Sequence, residues 1–132
     1  MSRPRLRISS GAPWEDKVAY RRAVRVGDHV WVAGTVAVDE GGKPFKPGDA
    51  GAQAERALEI IAEALKAAGA EMSDIVRTRV YVTDMSAETQ AAVGAAHRAV
   101  FKDFPPASAM IGVAALAAPG FVVEIEAEAV IG

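Results

Sequence analysis

The stretch Ile75-Val-Arg-Thr-Arg-Val-Tyr-Val-Thr83 alternates and is rich in β-branched residues, the pattern of a strand. A helical pattern stands on each side of it. Upstream, Asp49 is placed as an N-cap and Gly69 as a C-cap, and Ala54, Ala57, Leu58, Ile61, Leu65 and Ala68 recur between them at the 3.6-residue period. Downstream, Asp84 or Ser86 caps a second helix with Val93, Ala96, His97, Val100 and Phe101 on one face, and Pro105-Pro106 ends it. A strand between two helices implies two β-α-β crossovers, and right-handed connections put both helices on the same side of one sheet.

Working outward, Arg3 to Ser9 reads as a short strand with Arg3, Arg5 and Arg7 on one face. That face is an anionic contact patch or, with the greater weight, a charged edge that resists aggregation. Gly11 to Asp16, with Pro13-Trp14-Glu15, reads as a loop. Tyr20–Val26 and His29–Val38 then form a hairpin around the Gly27-Asp28 turn. Gly34 interrupts the second of these strands, which marks a bulge or a close backbone approach. Ala107–Val113 and Phe121–Ile131 complete the order β-β-β-α-β-α-β-β. The expected class is α+β: one mixed sheet, two helices on one face, and a single domain spanning 1–132. The other face is left bare, so it is either wet or packed against a second subunit.

Composition agrees with a partner surface. Ala and Val make up one third of the 132 residues, while four Phe, two Trp and two Tyr supply the only large rings. Such a core buries modest area per side chain, and association is one remedy. With no Cys, disulfides, thiolate metal sites and a cysteine nucleophile are excluded. His29 and His97 alone argue against a multi-histidine zinc site, so no metal and no cofactor is expected. A net charge of −2 argues against a nucleic-acid footprint. The chain has no run long enough for a membrane span and no apolar signal core after Met1-Ser-Arg-Pro-Arg5. A soluble, cytoplasmic protein is the expectation.

The last strand carries the oddest feature. Phe121, Val123, Ile125, Ala127 and Ala129 fall on one face, and Glu124, Glu126 and Glu128 on the other. Those carboxylates stand about 7 Å apart and repel, so an arginine of a neighbouring strand, Arg77 or Arg79, is expected to pair with at least one. Read alone, they are more readily a salt-bridged sheet face than a site. The functional alternative is one Glu in a cleft acting as general base or holding a water. His97, on an apolar helix face, reads as a hydrogen-bonded core residue. No phosphate loop, dinucleotide fingerprint or nucleophile elbow is present.

Taken in order, several pieces resemble the RidA/YjgF family, also known as L-PSP endoribonuclease-like proteins and reactive-imine deaminases. They are Tyr20-x-x-Ala-Val-x-Val-Gly27, Val30-x-Val-Ala-Gly-Thr35, Gln53, Ala68-Gly69, Asp74 to Asp84, Phe104-Pro-Pro-Ala-Ser108, Val113-Ala-Ala-Leu116 and Val123-Glu-Ile-Glu-Ala127. The resemblance implies a chorismate-mutase-like fold assembled as a homotrimer, with small-molecule clefts between subunits. It implies Glu124 as the glutamate associated with the attacking water, and Tyr20 and Gly34 as pocket residues. The arginine that clamps a substrate carboxylate in a Pro-Ala-Arg motif falls on Ser108, and a position that is commonly cysteine falls on Met110. A serine lacks the planar fork that holds a carboxylate bidentately. Either Arg77 or Arg79 reaches the cleft, or the ligand is not a simple imino acid, and the second is favoured. The expected function is a hydrolase or deaminase acting on a small imine, enamine or related metabolite. The alternatives are a non-catalytic small-molecule sensor and, third, the ribonuclease or translation inhibitor of the older family label.

Overall fold

The computed structural model describes residues 3–132; Met1 and Ser2, the start of the stretch read for a signal, lie outside them. Its elements are β1 (Arg5–Ile8), α1 (Pro13–Val18), β2 (Ala23–Val26), β3 (His29–Val36), α2 (Ala50–Ala67), a 3-10 turn (Met72–Asp74), β4 (Ile75–Val82), α3 (Ala87–Phe101), β5 (Ala107–Gly112) and β6 (Val123–Val130). They form one six-stranded sheet in the order β1-β2-β3-β6-β4-β5. Strands β4 and β5 run parallel, and every other neighbouring pair is antiparallel.

Both crossovers form as expected. Asp49 caps α2 by accepting from the Ala52 amide, and Ser86 rather than Asp84 caps α3 by accepting from Thr89. Ala68 is the last half-helical residue of α2; Gly69 follows with φ +84, a left-handed turn that glycine adopts without strain. Ala54, Ala57, Leu58, Ile61 and Leu65 of α2 and Val93, Ala96 and Phe101 of α3 share one core with Val30, Val32, Val80, Val82, Val123, Ile125 and Ala127. The helices therefore cover one side of the sheet. The other side has no cover among the described residues: one rung across it reads Arg7, Val24, Trp31, Glu128, Arg77 and Ala107.

One segment departs from expectation. Pro13-Trp14-Glu15, read as a loop, opens the short helix α1. Proline at the first helical positions has its φ already set, and Glu15 and Asp16 lie in the first turn, where the helix dipole favours negative charge. Glu15 is buried, 1% exposed, and its carboxylate accepts from the Ser10 amide and hydroxyl. Burial pushes its pKa up. Those Ser10 bonds, Ser9 and the charge of Arg22 outweigh it and hold the group below the ordinary range. Ala19 ends α1 in the left-handed conformation, which delays β2 until Ala23.

The bulge expected at Gly34 is present. Val32 pairs with Ala127 and Thr35 with Ile125, so β3 spends three positions where β6 spends two. The extra residue reverses the alternation. Val30 and Val32 face the helices before it and buried Thr35 and Ala37 after it, which leaves Val36 on the open face opposite Glu124. Buried Gln53 steadies the same end of the sheet, donating to the carbonyls of Phe45 and Gly120 at 3.1 and 2.7 Å and accepting from the Val122 amide at 2.9 Å.

Candidate functional site

The three glutamates of β6 have different surroundings. Arg79 Nη1 lies 3.5 Å from Glu126 Oε1 and 3.1 Å from Glu128 Oε1, and the Tyr81 hydroxyl donates to Glu126 at 2.7 Å. This is the pairing expected of Arg77 or Arg79, and Arg79 carries it. Glu124 has no hydrogen bond or ion pair among the described residues. It is half-buried, and burial raises its pKa, with repulsion from Glu126 adding to the rise and attraction from Arg22 opposing it.

Glu124 lies against Gly34. A Cβ at Gly34 would stand 2.9 Å from Glu124 Oε2, so any larger residue there would displace this carboxylate from its seat beside the bulge. Arg22 approaches the same glycine: its Nη2 donates to the Gly34 carbonyl at 2.7 Å, and its guanidinium sits 5.8 Å from the Tyr20 ring centroid. Its Nε is buried with no hydrogen-bond partner among the described residues. A carboxylate, a cation and an aromatic ring thus gather around one bulge. A groove of about 540 Å³ shares Tyr20 and Arg22 with this cluster and is lined further by Ser10, Trp14, Val36 and Arg56, while Gly34 and Glu124 are not in its lining. It mixes apolar walls with a few polar groups, the usual character of a small-molecule site.

Of the residues singled out in the sequence, Tyr20, Gly34 and Glu124 are brought together within one chain. Ser108 and Met110 are not. They pair with Thr78 and Val80 of β4, so their side chains are on the helix-covered side of the sheet, opposite to Glu124. The Ser108 hydroxyl accepts from Thr78 Oγ1 at 2.8 Å, and Met110 packs against the core. Neither Arg77 nor Arg79 acts on Glu124. The arginine that does is Arg22, which sequence reasoning missed because it falls on an unspecified position of Tyr20-x-x-Ala23. The signal was its place two residues after Tyr20 and one before inward-facing Ala23. His97 is hydrogen-bonded as expected, its Nε2 lying 2.8 Å from Thr78 Oγ1.

The sheet, its two helices and the Glu124 end define a protein of the YjgF type. The crystal structure of Rv2704 from Mycobacterium tuberculosis, a YjgF/YER057c/UK114-family member, superposes with a TM-score of 0.86 at 43% identity, covering 97% of this chain and 100% of that one. The RidA structure from an Antarctic Psychrobacter gives 0.78 at 31% identity, covering 95% and 94%. The family model for endoribonuclease L-PSP matches residues 12–131, and the chain belongs to that family, the RidA/YjgF family, with its α+β, chorismate-mutase-like fold. Among curated relatives, the mouse 2-iminobutanoate/2-iminopropanoate deaminase is 36% identical over 113 residues, which are 86% of this chain and 82% of that protein. An uncharacterised Streptomyces coelicolor protein is 33% identical over 123 residues, 93% of this chain and 90% of the other. No helix among the described residues is long and apolar enough to cross a membrane.

Proposed function

We propose that this protein hydrolyses a small imine or enamine, with Glu124 holding the attacking water. The supporting observation is the contrast within β6: Glu126 and Glu128 are tied down, while Glu124 is half-buried, unpaired and raised in pKa beside Gly34 and Arg22. A carboxylate shifted toward the working pH is a better general base. It accepts a proton as the water oxygen bonds to the imine carbon and the C=N π electrons go to nitrogen, then returns that proton to the nitrogen and takes up the hydroxyl proton as the C–N bond breaks. The resulting carbinolamine then expels ammonia and leaves a carbonyl product. The relatives named for 2-imino acids perform deamination of this class.

In this reading the protein is a cytoplasmic homotrimer. Its bare sheet face packs against neighbouring copies, and the cleft combines Glu124, Tyr20 and Gly34 of one copy with Ser108 and Met110 of another. Ser108 in place of an arginine weakens the hold on a substrate carboxylate by about 1.5–3 kcal/mol, so a carboxylate-free imine is preferred. The test compares hydrolysis of 2-iminopropanoate generated in situ with that of a neutral imine of similar size. Acceleration of the neutral imine, with Ser108→Arg shifting preference toward 2-iminopropanoate, supports the reading. If neither imine exceeds its buffer rate, the alternative of a non-catalytic binding protein replaces it.

A further inference from the structure

Ser108, Thr78 and His97 form a line of hydrogen bonds on the side of the sheet away from Glu124. Thr78 Oγ1 lies 2.8 Å from Ser108 Oγ and 2.8 Å from His97 Nε2. Thr78 is fully buried, Ser108 is exposed on the edge strand β5, and the half-buried ring of His97 packs on Phe101 with centroids 4.5 Å apart. The line therefore runs from the surface to a base inside the fold. Burial lowers the pKa of His97, which keeps the ring neutral and leaves one ring nitrogen able to accept a proton. Thr78 carries one O–H and two lone pairs, so it can accept from Ser108 while donating to His97. In the resting arrangement Thr78 donates to Ser108 and His97 Nε2–H donates to Thr78; the direction reverses when both hydroxyls rotate and the ring proton of neutral His97 moves to Nδ1. Satisfying the buried Thr78 hydroxyl requires only one of these partners, so the second, exposed partner is the unexplained element.

We propose that Ser108 is an acyl-accepting nucleophile for small carboxylic esters, with Thr78 passing its proton to His97. A serine hydroxyl is a weak nucleophile until a base takes its proton, and here the base acts through one intervening hydroxyl. Ser108 Oγ bonds to the ester carbonyl carbon as its proton moves to Thr78 Oγ1 and the Thr78 proton moves to His97 Nε2. The carbonyl π electrons go to its oxygen and return as the bond to the leaving alkoxide breaks, and the alkoxide takes up a proton from Thr78 Oγ1 as His97 Nε2 returns its own to Thr78. Water then attacks acyl-Ser108 with the same base removing its proton, releasing the carboxylic acid and restoring the serine. This activity uses neither Glu124 nor Arg22 and shares only Ser108 with the proposed imine cleft, so its dependence on Thr78 and His97 distinguishes it from imine hydrolysis.

The test treats the full chain with p-nitrophenyl acetate, following p-nitrophenolate release and locating the acetyl group by peptide mass spectrometry. The expected result is acetyl on Ser108, with release slowed about 100-fold in Thr78→Val, the scale of a lost general base, and restored in Thr78→Ser. His97→Gln, which keeps a hydrogen-bonding side chain but cannot take the proton, is expected to lose the same factor and serves in place of Thr78→Val if that variant does not fold. Acetylation of lysines with none on Ser108, or Ser108 acetylated as fast in Thr78→Val or His97→Gln as in the parent, overturns the proposal.

Discussion

Gly34→Ala separates the position of Glu124 from the stability of the fold. The backbone at Gly34 lies outside the left-handed region, so alanine fits it without strain. The added methyl would meet Glu124 at 2.9, 3.0 and 3.4 Å from Oε2, Cδ and Oε1, and nothing else is among its nearest contacts. Those atoms end a flexible side chain, which swings aside by a fraction of an ångström to about one. An off-rotamer carboxylate costs about 0.5–1.5 kcal/mol, while replacing glycine lowers the entropy of the unfolded chain by about 0.4–1 kcal/mol in compensation. The net change in unfolding free energy is therefore expected within about 1 kcal/mol of zero. Catalysis is less forgiving, because a displacement of about 1 Å in a positioned group costs roughly 100-fold. Urea unfolding and imine hydrolysis measured on the same preparation give the two numbers. Unchanged hydrolysis at unchanged stability would refute the claim that the seat of Glu124 against Gly34 matters, and a loss of more than about 3 kcal/mol would mean that the methyl meets something other than a movable carboxylate.

Other consequences follow from the same geometry. Glu124 binds its proton more tightly folded than unfolded, so its charge destabilises the fold once pH rises above the ordinary 4.5, and the cost is complete above the raised folded pKa. Glu124→Gln is therefore expected to gain thermal stability relative to the parent at pH 7 and to lose that advantage near pH 4; an equal difference at both pH values contradicts the assignment. Gln53→Leu orphans the Val122 amide and the Phe45 carbonyl, while the Gly120 carbonyl keeps the Gly48 amide. At about 1–3 kcal/mol per buried unsatisfied group, urea unfolding should show at least a 2 kcal/mol loss, and a change under about 0.5 kcal/mol would remove Gln53 as the brace of this end of the sheet. Light scattering at micromolar concentration should give the mass of three chains, and a monomer would dismantle the shared cleft.

Most of the framework was legible because its signals are local and repetitive. The α2 period, the β4 alternation and the Gly34 interruption each survive folding, since each rests on backbone geometry and one-sided burial. The helix α1 was not legible: its short length gives no period, and it is held by Glu15 folding back onto Ser10. The family resemblance marked Tyr20, Gly34 and Glu124, but not Arg22, whose role depends on the bulge carrying the Gly34 carbonyl to its guanidinium. Nor could strand spacing separate Glu124 from Glu126 and Glu128. That distinction comes from Arg79 and Tyr81 on β4, set by antiparallel register between segments more than forty residues apart.

The most direct measurement is kcat/KM for hydrolysis of a small imine by the parent chain and by Glu124→Gln. The substitution keeps the size of the side chain and removes its ability to take a proton from water. A fall of roughly 100-fold or more, the contribution expected of a general base, is the predicted result. Equal values for the two proteins would contradict the role assigned to Glu124.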